Sequence, residues 1–320
     1  MTNIDLLHEL RNKLGSVIVG QEDLLDRLVI AVLAGGHVLL EGPPGLAKTT
    51  VVHALATCLD ARFQRIQFTP DLMPGDLTGS DIYEPANGSF RFIEGPLFHE
   101  ILLADEINRA PPKVQSALLE AMAEHQITVG GTTRALPELF MVLATQNPLE
   151  QSGTYRLPEA QLDRFLFQII LDYPTLEEEI EISRRARRAY EGHVDVGLTA
   201  ALKPDEILSL RKQVDDIFIE EHIERFAIEI VVATRKLGHY LPDWADMIQI
   251  GASPRASISL LRAAMARALL DGRDFVLPED VVALAPDVLR HRLVLGFSAQ
   301  AEGITVDDII STLLNAIEAP

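Results

Sequence analysis

The chain has 320 residues, 48% of them hydrophobic, and its 47 acidic side chains outnumber its 28 lysines and arginines for a formal net charge of −19. That length and apolar fraction allow two domains with real cores. So negative a field repels nucleic-acid backbones and anionic membranes, which leaves another protein or a small molecule as the expected partner unless a basic channel overrides it locally.

The chain opens on MTNIDLLHELRNKLG, polar and amphipathic, with no apolar signal core. The apolar stretch around Ile30 to Leu40 is broken by Gly35, Gly36 and His37 and is too short to span a bilayer, so a soluble, cytoplasmic protein is expected. The first predicted strand is HVLLE, His37 to Glu41. Directly after it stands Gly42-Pro43-Pro44-Gly45-Leu46-Ala47-Lys48-Thr49, which fits the phosphate-loop pattern G-x-x-x-x-G-K-[ST] except that Ala47 replaces the last glycine and crowds the loop by a methyl group. Such a loop offers backbone N–H groups at a helix N-terminus, where partial positive charge meets phosphate. Lys48 would reach the β- and γ-phosphates and the Thr49 hydroxyl would bind Mg²⁺; with Thr50, the stretch Gly42 to Thr50 is the candidate nucleotide-binding segment. The helix that follows, KTTVVHALATCL, holds the single cysteine, Cys58, in an apolar pattern that suits a buried structural thiol.

A second strand is expected at RFQRIQF, Arg62 to Phe68, and then a turn-rich stretch, residues 69 to 98, with Asn87-Gly88 placed as a hairpin turn. The third strand, Glu100 to Ala104, runs into Asp105-Glu106. An acidic pair at the carboxyl end of an apolar strand sits where parallel sheets bind ligands. Downstream of a phosphate loop, Asp105 would hold Mg²⁺ through water and Glu106 would orient and polarise an attacking water. Pro111 and Pro112 open a helix, PPKVQSALLEAMAEH, and QITVGGTTRALP reads as a second hairpin around Gly130-Gly131. The fourth strand, Leu139 to Thr145, leads to Asn147-Pro148, either a turn or a polar contact to the γ-phosphate or its water; its expected place beside the Asp105 strand favours the second. A fifth strand spans Phe165 to Leu171. Several of these strands are apolar throughout and alternate with helical patterns, which argues for a parallel α/β sheet covered on both faces. After Tyr173-Pro174 the periodicity turns helical, so domains are expected at 1–175 and 176–320, the second all-helical.

GPPGLAKT, LLADEINRAPPKVQSALLEAM, ATQNP, LPEAQLDRF and GASPRA together resemble the MoxR family of AAA+ ATPases, over a span from about Val19-Gly20-Gln21 to His291-Arg292-Leu293. The resemblance implies a P-loop three-layer sandwich with two inserted hairpins and a helical lid, hydrolysing ATP with Mg²⁺ at sites between subunits of a homo-oligomeric, usually six-membered ring. It implies that Val19, Gly20 and Gln21 pack around adenine, that Gly42, Gly45, Lys48 and Thr49 hold phosphate, and that Asn147 is a polar sensor. Arg164 matches the arginine that enters the next subunit's site, where such a finger typically gives ~10³ to 10⁵ in rate, roughly 4 to 7 kcal/mol. Arg255 follows Ser253-Pro254, which suit an N-cap and a first helical turn; a cation there calls for an anion nearby, and the resemblance supplies the γ-phosphate. Phe90, Phe92 and Ile93 in the first hairpin invite a pore reading, yet Phe-x-Phe alternation more often marks one buried strand face.

The implied function is chaperone-like remodelling or activation of protein complexes, often metal-containing enzymes, with a protein client and a partner bearing a von Willebrand factor A domain. Two alternatives remain at this stage: a nucleic-acid-associated motor, which the acidic balance disfavours, and a nucleotide-gated scaffold without turnover, which Lys48, Asp105 and Glu106 disfavour.

Overall fold

Apolar runs of four to six residues bounded by turns become the framework of a parallel sheet. The computed structural model describes residues 3–43, 46, 48–86, 88–146, 154–190 and 197–320. In chain order it begins with α1 (Asn3–Val17), α2 (Glu22–Ala34), β1 (Val38–Glu41), α3 (Lys48–Cys58), β2 (Phe63–Gln67), α4 (Pro74–Thr78), β3 (Gly79–Glu84), β4 (Ser89–Glu94) and β5 (Ile101–Asp105). There follow α5 (Pro112–Glu124), β6 (Gln126–Val129), β7 (Thr132–Ala135), β8 (Met141–Gln146), α6 (Glu159–Leu162), β9 (Phe167–Ile170) and α7 (Leu176–Tyr190). The remainder is α8 (Pro204–Asp215), α9 (Glu221–Arg235), α10 (Leu237–Tyr240), β10 (Ile248–Ile250), α11 (Pro254–Leu270), α12 (Pro278–Leu289), β11 (Val294–Leu295), α13 (Phe297–Glu302) and α14 (Val306–Ala316).

The main sheet has the order β2-β5-β8-β1-β9. The pairs β2–β5, β5–β8 and β8–β1 are parallel, and the three inner strands are buried up to their last residue, as strands covered by helices on both faces must be. The order places a strand reached late in the chain, β8, between the first strand and β5. The register sets Gln67 opposite Asp105, Ala104 opposite Ala144 and Glu41 opposite Gln146. The carboxyl ends of four strands therefore form one row, the edge where open α/β sheets bind ligands.

Both expected hairpins are present, β3 with β4 and β6 with β7, although Asn87 of the first expected turn lies outside the described residues. They touch one another: Arg134 of β7 lies over the Phe92 ring at 3.8 Å and reaches Asp81 of β3 at 3.7 Å. Phe92 also meets Phe98 edge-on, whereas Phe90 is 72% exposed against Tyr83. Only one of the two alternating phenylalanines is packed.

The chain divides into two compact units, residues 1–29, 37–157 and 169–208 in one and residues 30–36, 158–168 and 209–320 in the other. The second is built on α9, α11 and α12, where Ala256, Ala263, Ala264, Ala266 and Ala268 of α11 are buried; such small side chains let helix backbones approach closely. It carries one short ribbon, β10 with β11, too brief for a period-two pattern to announce. The turn that follows α6 belongs to this helical unit. Among the described residues no helix is long and apolar enough to cross a membrane.

Candidate active site

The site starts at the end of β1. Gly42 is buried, and a Cβ there would stand 2.6 Å from the Leu171 carbonyl oxygen, so the chain leaving the sheet can pass only as glycine. Pro43 and Leu46 are described, Leu46 being buried, while Pro44, Gly45 and Ala47 lie outside the described residues. Lys48 and Thr49 open α3 and Thr50 follows, which puts them at the end of a helix whose unpaired N–H groups favour anions. The Lys48 ammonium donates to the Gly42 carbonyl at 2.7 Å, folding back across the loop. Burial pushes its pKa below the ordinary lysine value, against Asp105, Glu41 and Glu106, which all push it up. Three carboxylates thus gather around one partly desolvated cation.

Asp105 ends β5, and Glu106 turns the chain out of the sheet in the left-handed region, φ 56° and ψ 51°. A non-glycine residue there stores of order 1–3 kcal/mol of strain, which the surroundings must sustain. One hydroxyl does much of that. Thr145, buried near the end of β8, donates to Asp105 Oδ1 at 2.6 Å and accepts the Glu106 backbone N–H at 2.8 Å. The other carboxylate oxygens are gripped by cations and amides. Asp105 Oδ2 accepts from Arg65 Nη2 at 2.6 Å, and Glu106 Oε2 accepts from Gln67 Nε2 at 2.9 Å and from Arg109 Nη1 at 2.8 Å. β8 does neighbour β5 as expected, but Asn147 itself lies outside the described residues. Val19-Gly20-Gln21 forms a tight entry to α2, with Gly20 at φ 66° and Gln21 at φ 64°.

A second group of predicted residues lies in the helical unit. Ser253 caps α11 by accepting the Arg255 N–H at 3.2 Å, as its position predicts. The anion that Arg255 calls for is present: Asp163 Oδ2 lies 3.5 Å from Arg255 Nη1. Asp163 also accepts from Ser253 Oγ at 3.0 Å and from the buried Arg292 at 2.7 Å. Arg164 follows in the same turn, half-buried.

Comparison with known proteins gives this geometry its context. The family model of the "ATPase family associated with various cellular activities (AAA)" matches residues 37–167, and that of the "AAA lid domain" matches residues 244–313. The chain is 45% identical to "Chaperone MoxR1" of Mycobacterium tuberculosis over 95% of its own length and 80% of that protein's. It is 32% identical to "Protein MoxR" of Methylorubrum extorquens over 99% and 96%. The chain belongs to the MoxR family of AAA+ ATPases. A crystal structure of a Cytophaga hutchinsonii protein superposes with a TM-score of 0.92 at 46% identity, covering 99% of this chain and 96% of that one.

As a MoxR-family AAA+ protein the chain is a nucleotide-binding ATPase with an α/β domain and a helical lid, which agrees with the fold and activity that its motifs imply. Lys48, Asp105 and Glu106 are legible as motifs, whereas Thr145, Arg65, Gln67 and Arg109 join the site only through the fold. Thr145 had one visible signal, a lone hydroxyl in an otherwise apolar strand; Arg109 had its i+3 spacing from Glu106. His291 is buried, with Nε2 on the Phe165 carbonyl at 3.0 Å.

Proposed function

We propose that this MoxR-family ATPase uses ATP hydrolysis for chaperone-like remodelling or activation of protein complexes. The observation that carries the chemistry is the Thr145 hydroxyl, which holds Asp105 and the strained Glu106 together at the sheet edge, within electrostatic reach of Lys48. In this reading the loop from Gly42 to Thr50 cradles the triphosphate and Lys48 leaves the Gly42 carbonyl to meet the β- and γ-phosphates. Glu106 orients a water that attacks the γ-phosphorus as the bond to the ADP oxygen breaks, giving ADP and phosphate. Asn147 contacts the γ-phosphate or that water, Val19, Gly20 and Gln21 border the adenine, Arg255 reads the γ-phosphate from the lid, and Arg164 enters a neighbouring subunit's site.

The donors fit Mg²⁺. Among the described residues no group of three or more His, Cys, Asp or Glu side chains could hold a metal by itself, and a cation held by the Thr49 hydroxyl, Asp105 and phosphate oxygens is the arrangement magnesium prefers. When bound it would offset phosphate charge.

The same proposal includes a hexameric ring in the cytoplasm, a domain boundary near residue 175, a protein client, and a von Willebrand factor A domain partner in metalloenzyme maturation. The relative named as a chaperone supports the remodelling role. Steady phosphate release by the wild-type chain, lost in Glu106→Gln with ATP still bound, is the expected result; crosslinking of that trapped state should recover protein. Recovery of DNA alone, or equal turnover by Glu106→Gln, would refute the reading.

A further inference from the structure

Asp163 occupies a junction that the proposed roles of its neighbours do not explain. It lies between α6 and β9, directly before Arg164, and its carboxylate has three partners. Oδ1 accepts from Arg292 Nε at 2.7 Å. Oδ2 accepts from Ser253 Oγ at 3.0 Å and faces Arg255 Nη1 at 3.5 Å. These contacts differ in kind. The Arg292 side chain is only 2% exposed, whereas that of Arg255 is 56% exposed. The first is a buried, hydrogen-bonded ion pair, whose cation cannot give up its partner without penalty. The second is long and solvated, a contact that water and salt readily replace.

Arg292 extends the junction. Its guanidinium donates to the carbonyls of Phe165 at 2.7 Å and Leu166 at 3.3 Å, to that of Val288 in α12, and to Ser259 Oγ of α11 at 3.3 Å. One planar fork therefore ties the backbone on the far side of Arg164 to two helices of the same unit, while Asp163 ties the near side. Arg164 is held between two anchored points. The hydroxyl that bonds Asp163 also caps α11 at the residue that bears Arg255.

We infer that Asp163 is a positioning residue that couples Arg255 to Arg164: it is the resting partner of Arg255 and, through Arg292, the anchor of the turn that presents Arg164. The inference rests on the proposed roles of those two arginines. A γ-phosphate that draws Arg255 off Asp163 changes the charge beside the Arg164 turn, so one subunit's nucleotide state reaches the finger it offers to the next. The opposed strengths of the two ion pairs suit this, since one must persist while the other exchanges.

The coupling has a signature that simple loss of structure lacks. Asp163→Asn frees Arg255 for phosphate while loosening the Arg164 turn. The Kd for a non-hydrolysable ATP analogue should stay unchanged or tighten, while kcat falls roughly tenfold or more. A fall in kcat with weakened analogue binding, or kcat within about twofold of wild type, overturns the inference. Because the finger acts in trans, mixing Asp163→Asn with Glu106→Gln chains should restore turnover, each supplying what the other lacks. Arg164→Ala mixed with Glu106→Gln is the control. If that control restores turnover and Asp163→Asn does not, the junction fails and the finger stands. If the control itself fails, the finger reading falls.

Should Asp163→Asn not fold, Ser253→Ala serves, since it leaves the Arg292 pair intact and removes the hydroxyl that both links Asp163 to α11 and caps that helix. A folded Ser253→Ala chain should lose about threefold or more in kcat without weaker analogue binding, and an unchanged kcat overturns the coupling.

Discussion

The Thr145 hydroxyl donates to Asp105 Oδ1 at 2.6 Å while taking the Glu106 N–H at 2.8 Å. A single side chain on one strand thus sets two adjacent carboxylate residues on the next, and it bonds the backbone N–H of the second, which stands in the left-handed region. Thr145→Val keeps the shape and removes both bonds, leaving a donor without its partner. Such a loss costs about 1–3 kcal/mol, so kcat should fall roughly 5- to 150-fold. Thr145→Ser should retain most of the rate. Phosphate release by the two variants decides the matter, and a Thr145→Val chain as fast as wild type would remove the hydroxyl from the mechanism.

Glu106 is held at rest by Gln67 and Arg109 on the same oxygen. A carboxylate that accepts two donors is oriented toward them and not toward a water, so hydrolysis requires the grip to open. The Arg109 pair is partly exposed, which keeps its worth at about 0–1 kcal/mol. Arg109→Ala should therefore raise the basal ATPase rate, by at most about fivefold. A rate that drops instead would show that Arg109 serves the active arrangement.

The sequence made the sheet and the first site legible because both are local. Five segments of strand length, several of them apolar throughout, can be found without knowing their order, and Lys48 and Glu106 announce themselves through neighbours within a few positions. What escaped notice depends on pairing. Gln67 reaches Glu106 only because β2 lies beside β5 in a register that sets Gln67 opposite Asp105, and Thr145 reaches across the corresponding β5–β8 pair. Asp163 and Arg292 stand 129 positions apart; no spacing rule connects them, and Asp163 in isolation reads as a surface partner for Arg164. The hairpins show the opposite failure. Alternation suggested one buried face for Phe90 and Phe92, but Arg134 from the second hairpin covers only Phe92.

Lys48 offers a direct test of the phosphate loop. Its ammonium is partly desolvated and bonded to the Gly42 carbonyl, so moving it to a phosphate exchanges a neutral acceptor for a charged one at little further desolvation. Hydrogen bonds to charged groups contribute about 1.5–3 kcal/mol. Lys48→Ala should weaken ATP binding by roughly 10- to 150-fold, as titration calorimetry would report. Fold and melting temperature should change little, because the bond that is lost ends on a loop carbonyl.

His291 carries a pH prediction. Full burial, reinforced by the adjacent Arg292 and Arg290 cations, holds its pKa well below the ordinary 6.5, while its bond to Phe165 pushes weakly the other way. Nε2 donates to that carbonyl and Nδ1 has no hydrogen-bond partner, so the neutral ring is the form that the fold accommodates. The unfolded chain takes up a proton near pH 6.5, whereas the folded chain does so only at much lower pH. Below 6.5 the unfolded state therefore binds more protons, and stability contributed by the neutral ring, present above that value, is lost as pH falls toward the folded pKa. The slope from one such group reaches at most about 1.4 kcal/mol per pH unit. His291→Gln can keep an amide donor for Phe165 and does not titrate. Carboxylates common to both chains cancel in the comparison, so urea unfolding between pH 5 and 8 should show the two stabilities running parallel above about 6.5 and the wild type falling more steeply below it. Parallel curves down to pH 5 would mean that His291 accepts its proton in the folded chain as readily as in the unfolded one.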